Sequence, residues 1–126
     1  MTVLPGIDLV ETSRIAGAIE RQGEAFLRRV FTDGERAFCA ARAQSHASYA
    51  ARWAAKEAVA KAFGTGIGEA AALTEIEVWN DESGQPHIRL HGAAAATAAR
   101  LGISAVRISL THTEHYAAAF AVVTAA

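Results

Sequence analysis

Cysteine occurs once in this chain of 126 residues, at Cys39, so there is no intrachain disulfide and no pair of thiols for a zinc site. No run of 18 apolar residues exists, and nothing reads as a membrane-spanning helix. At the N-terminus no basic segment precedes an apolar run, and Asp8 interrupts the first one, which argues against a secretory signal. An excess of one charge is missing too: 12 Lys+Arg against 13 Asp+Glu leave a net charge of −1. That balance excludes a nucleic-acid-coating protein and a disordered acidic tail. A cytoplasmic protein with no membrane or nucleic-acid partner is expected. Lysine is scarce, and ten of the 12 cations are arginine, whose planar fork suits phosphates and carboxylates. Alanine, by contrast, is abundant. It accounts for 31 residues, so the 52% hydrophobic content overstates the core, and 34 other apolar residues carry most of the packing. One domain spanning residues 1–126 is expected, small enough to gain from oligomerising.

Val3 to Val10 (VLPGIDLV) is a short apolar run broken by Pro5 and Gly6, which predicts a strand beginning near Gly6. Glu11-Thr12-Ser13 offers caps for a helix on which Ile15, Ala18 and Ile19 recur at helical spacing, with Gly23 as its stop. Thr32 and Glu35 have capping-box spacing, and Arg36 to Gln44 reads as helix, with Ser45 as a bend or a second start. Ala47 to Phe63 lacks glycine and proline and is rich in alanine, the strongest helix signal in the chain, and Gly64-Thr65-Gly66-Ile67-Gly68 ends it. The period then changes to two. Leu73–Trp79 and Pro86–His91 alternate around the turn Asn80–Gln85 and predict a hairpin. An alanine-rich helix from Gly92 to Leu101 precedes strands at Val106–Leu110 and Tyr116–Val123, joined by Thr111–His115. The class is α+β, a helix-rich half followed by ββαββ.

Three places are costly for packing alone. Asp8 puts a carboxylate inside an apolar strand, at roughly several kcal/mol unless it is paired or binds a cation; otherwise it caps the next helix. Trp53, Glu57 and Lys61 are four apart and share a helix face, with Arg52 and Lys56 on the adjacent one. Taken alone, Glu57 and Lys61 read as an exposed ion pair worth about 0.3–0.5 kcal/mol. The glycine loop after them either simply ends the helix or lets backbone amides approach a phosphate. A helix C-terminus has the wrong dipole end for an anion, so lysine and amides would have to outweigh it. Last, Thr111-His112-Thr113-Glu114-His115 reads as a polar turn, which does not hold His112 and His115 in a geometry for zinc. Two carboxylates without thiols suit a hard ion such as Mg²⁺ together with a phosphate ester.

The motifs GIDLVE (6–11), FTxxE (31–35), RWAAKEAxxKAxGTG (52–66) and SLTHTxxYA (109–117) occur in that order. With them the chain closely resembles, nearly end to end, the short bacterial holo-[acyl-carrier-protein] synthase type of the 4′-phosphopantetheinyl transferases. The resemblance implies that family's fold, a long helix on a small, mainly antiparallel sheet. It also implies transfer of the phosphopantetheine arm of coenzyme A to a serine of apo acyl carrier protein, with adenosine 3′,5′-bisphosphate released. Asp8 and Glu57 match the metal ligands, for Mg²⁺, and Lys61 the lysine beside the pyrophosphate. Gly64, Thr65, Gly66, His112 and Thr113 match the nucleotide pocket, and Arg52, Pro86 and Arg42 match contacts to the nucleotide end less closely. A homotrimer with sites shared between neighbours is implied. Thr111 stands where serine is usual and Trp53 where phenylalanine is common, each keeping the chemical character. The stretch from Ala37 to Ala51 has few basic residues for a 3′-phosphate.

In that reaction Glu57, acting through a metal-bound water, is the candidate base for the serine proton, with Asp8 second, and Lys61 is expected to offset charge on the bridging or leaving oxygen. Carrier proteins of this kind are acidic, so Arg14, Arg21 and Arg28 are expected to dock the partner, unless they form only a solvated basic face. Two rivals remain: a non-catalytic carrier-binding module and a Mg²⁺-dependent phosphohydrolase.

Overall fold

In the computed structural model, which describes residues 1–126, the chain runs β1 (Thr2–Glu11), α1 (Thr12–Gln22), α2 (Glu24–Val30), α3 (Asp33–Ala40) and α4 (Ser45–Ala62). A 3₁₀ turn (Leu73–Glu75), β2 (Ile76–Asn80), β3 (Pro86–Leu90), α5 (Gly92–Arg100), β4 (Ile103–His112) and β5 (Tyr116–Ala125) follow. The α+β class holds. A three-stranded antiparallel sheet has the order β1-β5-β4, and β2 and β3 make a separate antiparallel hairpin. No helix is long and apolar enough to cross a membrane.

The alanine excess is explained where α4 lies on the sheet. Ala50, Ala54, Ala55, Ala58 and Val59 are fully buried on the helix, and Ala117, Ala119, Ala121 and Val123 are buried on alternate positions of β5. Small side chains on both surfaces let helix and strands approach closely. Gly6 takes this to its limit, since a Cβ there would run into the carbonyl oxygen of Ala58. Side chains alternate along a strand, so Asp8 shares the α4-facing side of β1 with Gly6 and Val10.

Several local expectations shift. β1 begins at Thr2, not near Gly6. Pro5 is tolerated because β1 is the sheet edge and needs hydrogen bonds on one side only. No side chain caps α1; Glu11 takes the cap position without a side-chain bond, and the Thr12 N–H goes to the carbonyl of His115 instead. The capping box at Thr32 and Glu35 forms as expected, and the long helix starts at Ser45. Leu73–Glu75 is a 3₁₀ turn, not the start of the strand. There the Glu75 carboxylate turns back to accept from the amides of Ala72 (2.9 Å) and Ala93 (2.8 Å), which local alternation of apolar residues does not register.

The hairpin is tied to α4 through a buried ion pair. Lys56 Nζ donates to Glu35 Oε1 (2.7 Å) and to the carbonyls of Leu73 (2.8 Å) and Ile76 (2.7 Å), and both side chains are wholly buried. Glu35 also accepts from the amides of Thr32 (2.9 Å) and Val78 (2.8 Å). Burial pushes the Lys56 ammonium below its usual range, and Glu35 pulls it back up. With every donor and acceptor satisfied, the pair fixes α3, the 3₁₀ turn and β2 on one helix. Lys56→Met would strand the Glu35 carboxylate and cost about 3–5 kcal/mol. Urea unfolding measures this, and a loss below about 1 kcal/mol would show that the pair does not hold the hairpin in place.

Candidate active site

Asp8 and Lys61, more than fifty residues apart in sequence, meet where β1 crosses the last turn of α4. Lys61 Nζ donates to Asp8 Oδ1 and to the carbonyl of Ile7, both at 3.1 Å. The ion pair expected between Glu57 and Lys61 is therefore replaced by one between Asp8 and Lys61. Glu57, one turn back on the same helix face, is partly buried. Its carboxyl is raised above the usual range by loss of solvent and then by the charge of Asp8, while Lys61 and Arg14 oppose this more weakly. The two carboxylates thus share one electrostatic environment. Trp53 continues the face, stacked on Phe26 at 6.2 Å, with the Arg14 guanidinium 5.6 Å from its ring centre.

A second cluster lies elsewhere on α4. Arg52 is five residues before Glu57, about 140° around the helix. It is 3% exposed and donates to Asn80 Oδ1 at 2.6 Å, while its Nε has no partner. It borders a cavity of about 340 Å³ with Arg42, Phe38, Ser48, Thr111 and His112. Pro86 joins this side because it pairs with Asn80 across the hairpin. Phe38 and Asn80 were not singled out by sequence reasoning. Phe38 and Arg42 do have i,i+4 spacing, a signal that was available; Asn80 meets Arg52 only through the tertiary fold.

The remaining expected residues divide. The amides of Gly64 and Gly66 are given to the helix carbonyls of Lys61 (2.9 Å) and Ala60 (3.1 Å), so these two amides close α4. His112 ends β4, exposed. Thr113 closes the turn into β5, its amide bonded to the Tyr116 carbonyl (2.8 Å) and its hydroxyl accepting from the Tyr116 amide (3.2 Å). Arg14 and Arg21 are exposed, seven apart on α1. Arg28 on α2 faces Glu24 at 3.5 Å, both exposed, a pair of little energetic weight.

Residues 5–121 match the model of the 4′-phosphopantetheinyl transferase superfamily. This chain belongs to that superfamily. It is 48% identical over 124 residues to the holo-[acyl-carrier-protein] synthase of Ruminiclostridium cellulolyticum, covering 98% of this chain and 92% of that protein. The crystal structure of the Neisseria meningitidis holo-[acyl-carrier-protein] synthase superposes with a TM-score of 0.89 at 33% identity, over 96% of this chain and 97% of that one. The Helicobacter pylori synthase in complex with coenzyme A gives 0.84 at 28% identity, over 96% and 100%.

The acidic side chains decide whether a cation would fit here. No group of three or more His, Cys, Asp or Glu side chains gathers anywhere in this chain to hold a metal. Asp8 and Glu57 offer a pair, the number of carboxylates Mg²⁺ takes when phosphates and water complete its shell. A cation would relieve both causes that raise the Glu57 carboxyl, loss of solvent first and the charge of Asp8 second, so the two residues fit such an ion. A carboxyl raised in the folded state favours the protein below its unfolded pKa, and that stability is lost as pH rises through the folded value. In EDTA, Glu57→Gln should melt above wild type near pH 8, with the advantage vanishing toward pH 4. Parallel melts across that range check this; a lower melting point for the variant at pH 8 would contradict the burial and repulsion assigned to Glu57.

Proposed function

We propose that the chain transfers 4′-phosphopantetheine from coenzyme A to a serine of apo acyl carrier protein, a holo-[acyl-carrier-protein] synthase activity of the whole 126-residue chain. The convergence of Asp8, Glu57 and Lys61 carries this reading. The serine Oγ attacks the phosphorus bearing pantetheine and forms the new P–O bond. The bond to the second phosphate breaks, and adenosine 3′,5′-bisphosphate leaves with the electron pair. Asp8 and Glu57 hold Mg²⁺, which when bound neutralises pyrophosphate charge. Glu57 accepts the serine proton. Lys61, half exposed and anchored to Asp8, offsets charge on the leaving oxygen. Arg14, beside Trp53 and Glu57, receives the acidic carrier together with Arg21 and Arg28, whose exposed pair with Glu24 is weak enough to give way.

Asp8→Ala and Glu57→Ala should each lower transfer by roughly two or more orders of magnitude. Labelled coenzyme A, Mg²⁺ and an apo carrier provide the assay. Near-normal turnover in both variants refutes the metal assignment, complex without product indicates a binding module, and phosphopantetheine released without carrier indicates a hydrolase.

The active assembly is a homotrimer with shared sites. Val3 (57% exposed), Ile7 (65%), Leu9 (66%) and Phe120 (43%) stand on the outer face of the sheet, with Ile7 and Phe120 directly paired. An apolar patch of this kind suits burial against other copies. Arg52, with Arg42 and His112 at its cavity, lies about 140° around α4 from Glu57, so one coenzyme A spanning both clusters is best served by two chains. Asp8→Ala and His112→Ala chains, dissociated and reassembled together at subsaturating coenzyme A, should be more active than either alone, because hybrids contain intact sites. No gain on mixing would place each site within one chain.

A further inference from the structure

We infer that Phe38 is a positioning residue, its ring holding the guanidinium groups of Arg42 and Arg52 for the 3′-phosphate of coenzyme A. This rests on the transferase reading above. Each guanidinium carbon lies 4.0 Å from the Phe38 ring centre, so two like charges share one aromatic ring. Both arginines and His112 border the cavity of about 340 Å³, and no carboxylate lines it. Two cations crowded together need a counterweight. A carboxylate would supply one, but it would also neutralise them and compete with an anionic ligand. A ring face attracts each cation through its quadrupole and takes up none of the N–H donors. The hydrogen bonds agree with that division of labour. Arg52 gives one nitrogen to Asn80 Oδ1, and its Nε, though buried, has no partner.

The ligand is named by the phosphates that remain. Coenzyme A carries a pyrophosphate, which Asp8, Glu57 and Lys61 serve, and one phosphate monoester on the ribose. A dianionic monoester suits two arginine forks held a fixed distance apart. Phe38 is only partly buried near the end of α3, so its replacement by another apolar residue leaves the core intact.

Calorimetric titration of the intact protein with adenosine 3′,5′-bisphosphate and with adenosine 5′-monophosphate tests this. Phe38→Leu should weaken the bisphosphate by roughly 5- to 30-fold, the loss of two cation–π contacts, and the monophosphate by less than about two-fold. Phe38→Trp should restore the preference. Phe38→Met serves in the same way if melting shows the leucine variant to be unfolded. Equal weakening of both nucleotides would make Phe38 a merely structural residue and overturn the proposal, as would unchanged binding of both or a wild type that does not prefer the bisphosphate. Transfer assays on wild type separate the two levels. Normal transfer with unaltered nucleotide preference in Phe38→Leu removes only the role of Phe38, whereas no transfer by wild type removes the transferase reading and with it the ligand named here.

Discussion

The structure depends on how closely α4 can lie against the sheet. Alanines on the helix meet alanines on β5, and β1 passes over the helix at Gly6, where even a methyl group would strike the Ala58 carbonyl. The chain thereby gives up hydrophobic area per residue, since alanine buries little. What it gains is position: with backbones this near, the short Asp8 side chain reaches Lys61 from the strand, and its charge is felt at Glu57.

The charged residues of α4 have separate tasks set by direction around the helix. Glu57 and Lys61 face β1 and remain partly open to solvent, so their charges stay available to a cation and a phosphate. Lys56, one residue before Glu57, is wholly buried and spends its three donors on Glu35 and two carbonyls. Arg52, also buried, looks toward the hairpin and the cavity of His112. Two lysines in the whole chain thus do opposite things. One is a structural cation with every hydrogen bond made. The other makes two longer, exposed bonds that a ligand can replace.

Sequence reasoning located the elements but was least accurate where side chains override local pattern. The alternation from Leu73 to Trp79 suggested one strand, yet Glu75 and Lys56 capture backbone groups there and force a 3₁₀ turn first. The Glu57–Lys61 spacing suggested an ion pair along the helix, yet a carboxylate on a distant strand lies better placed for the lysine. The glycine loop left open a plain helix end or phosphate-facing amides, and only the fold shows the amides of Gly64 and Gly66 given to the helix end.

By itself the sequence determined the α+β class, the long alanine-rich helix, the capping box at Thr32 and, through its motifs, the superfamily to which the chain belongs. These are legible because periodicity, caps and short motifs act over a few residues. Only the tertiary structure decided which cation meets Asp8, that Lys56 is buried rather than exposed, and that Arg42, Arg52 and His112 border one cavity around Phe38. Each of those depends on distances between segments far apart along the chain. Such distances are set by how thin the residues between helix and sheet are, a property of packing that no local pattern encodes.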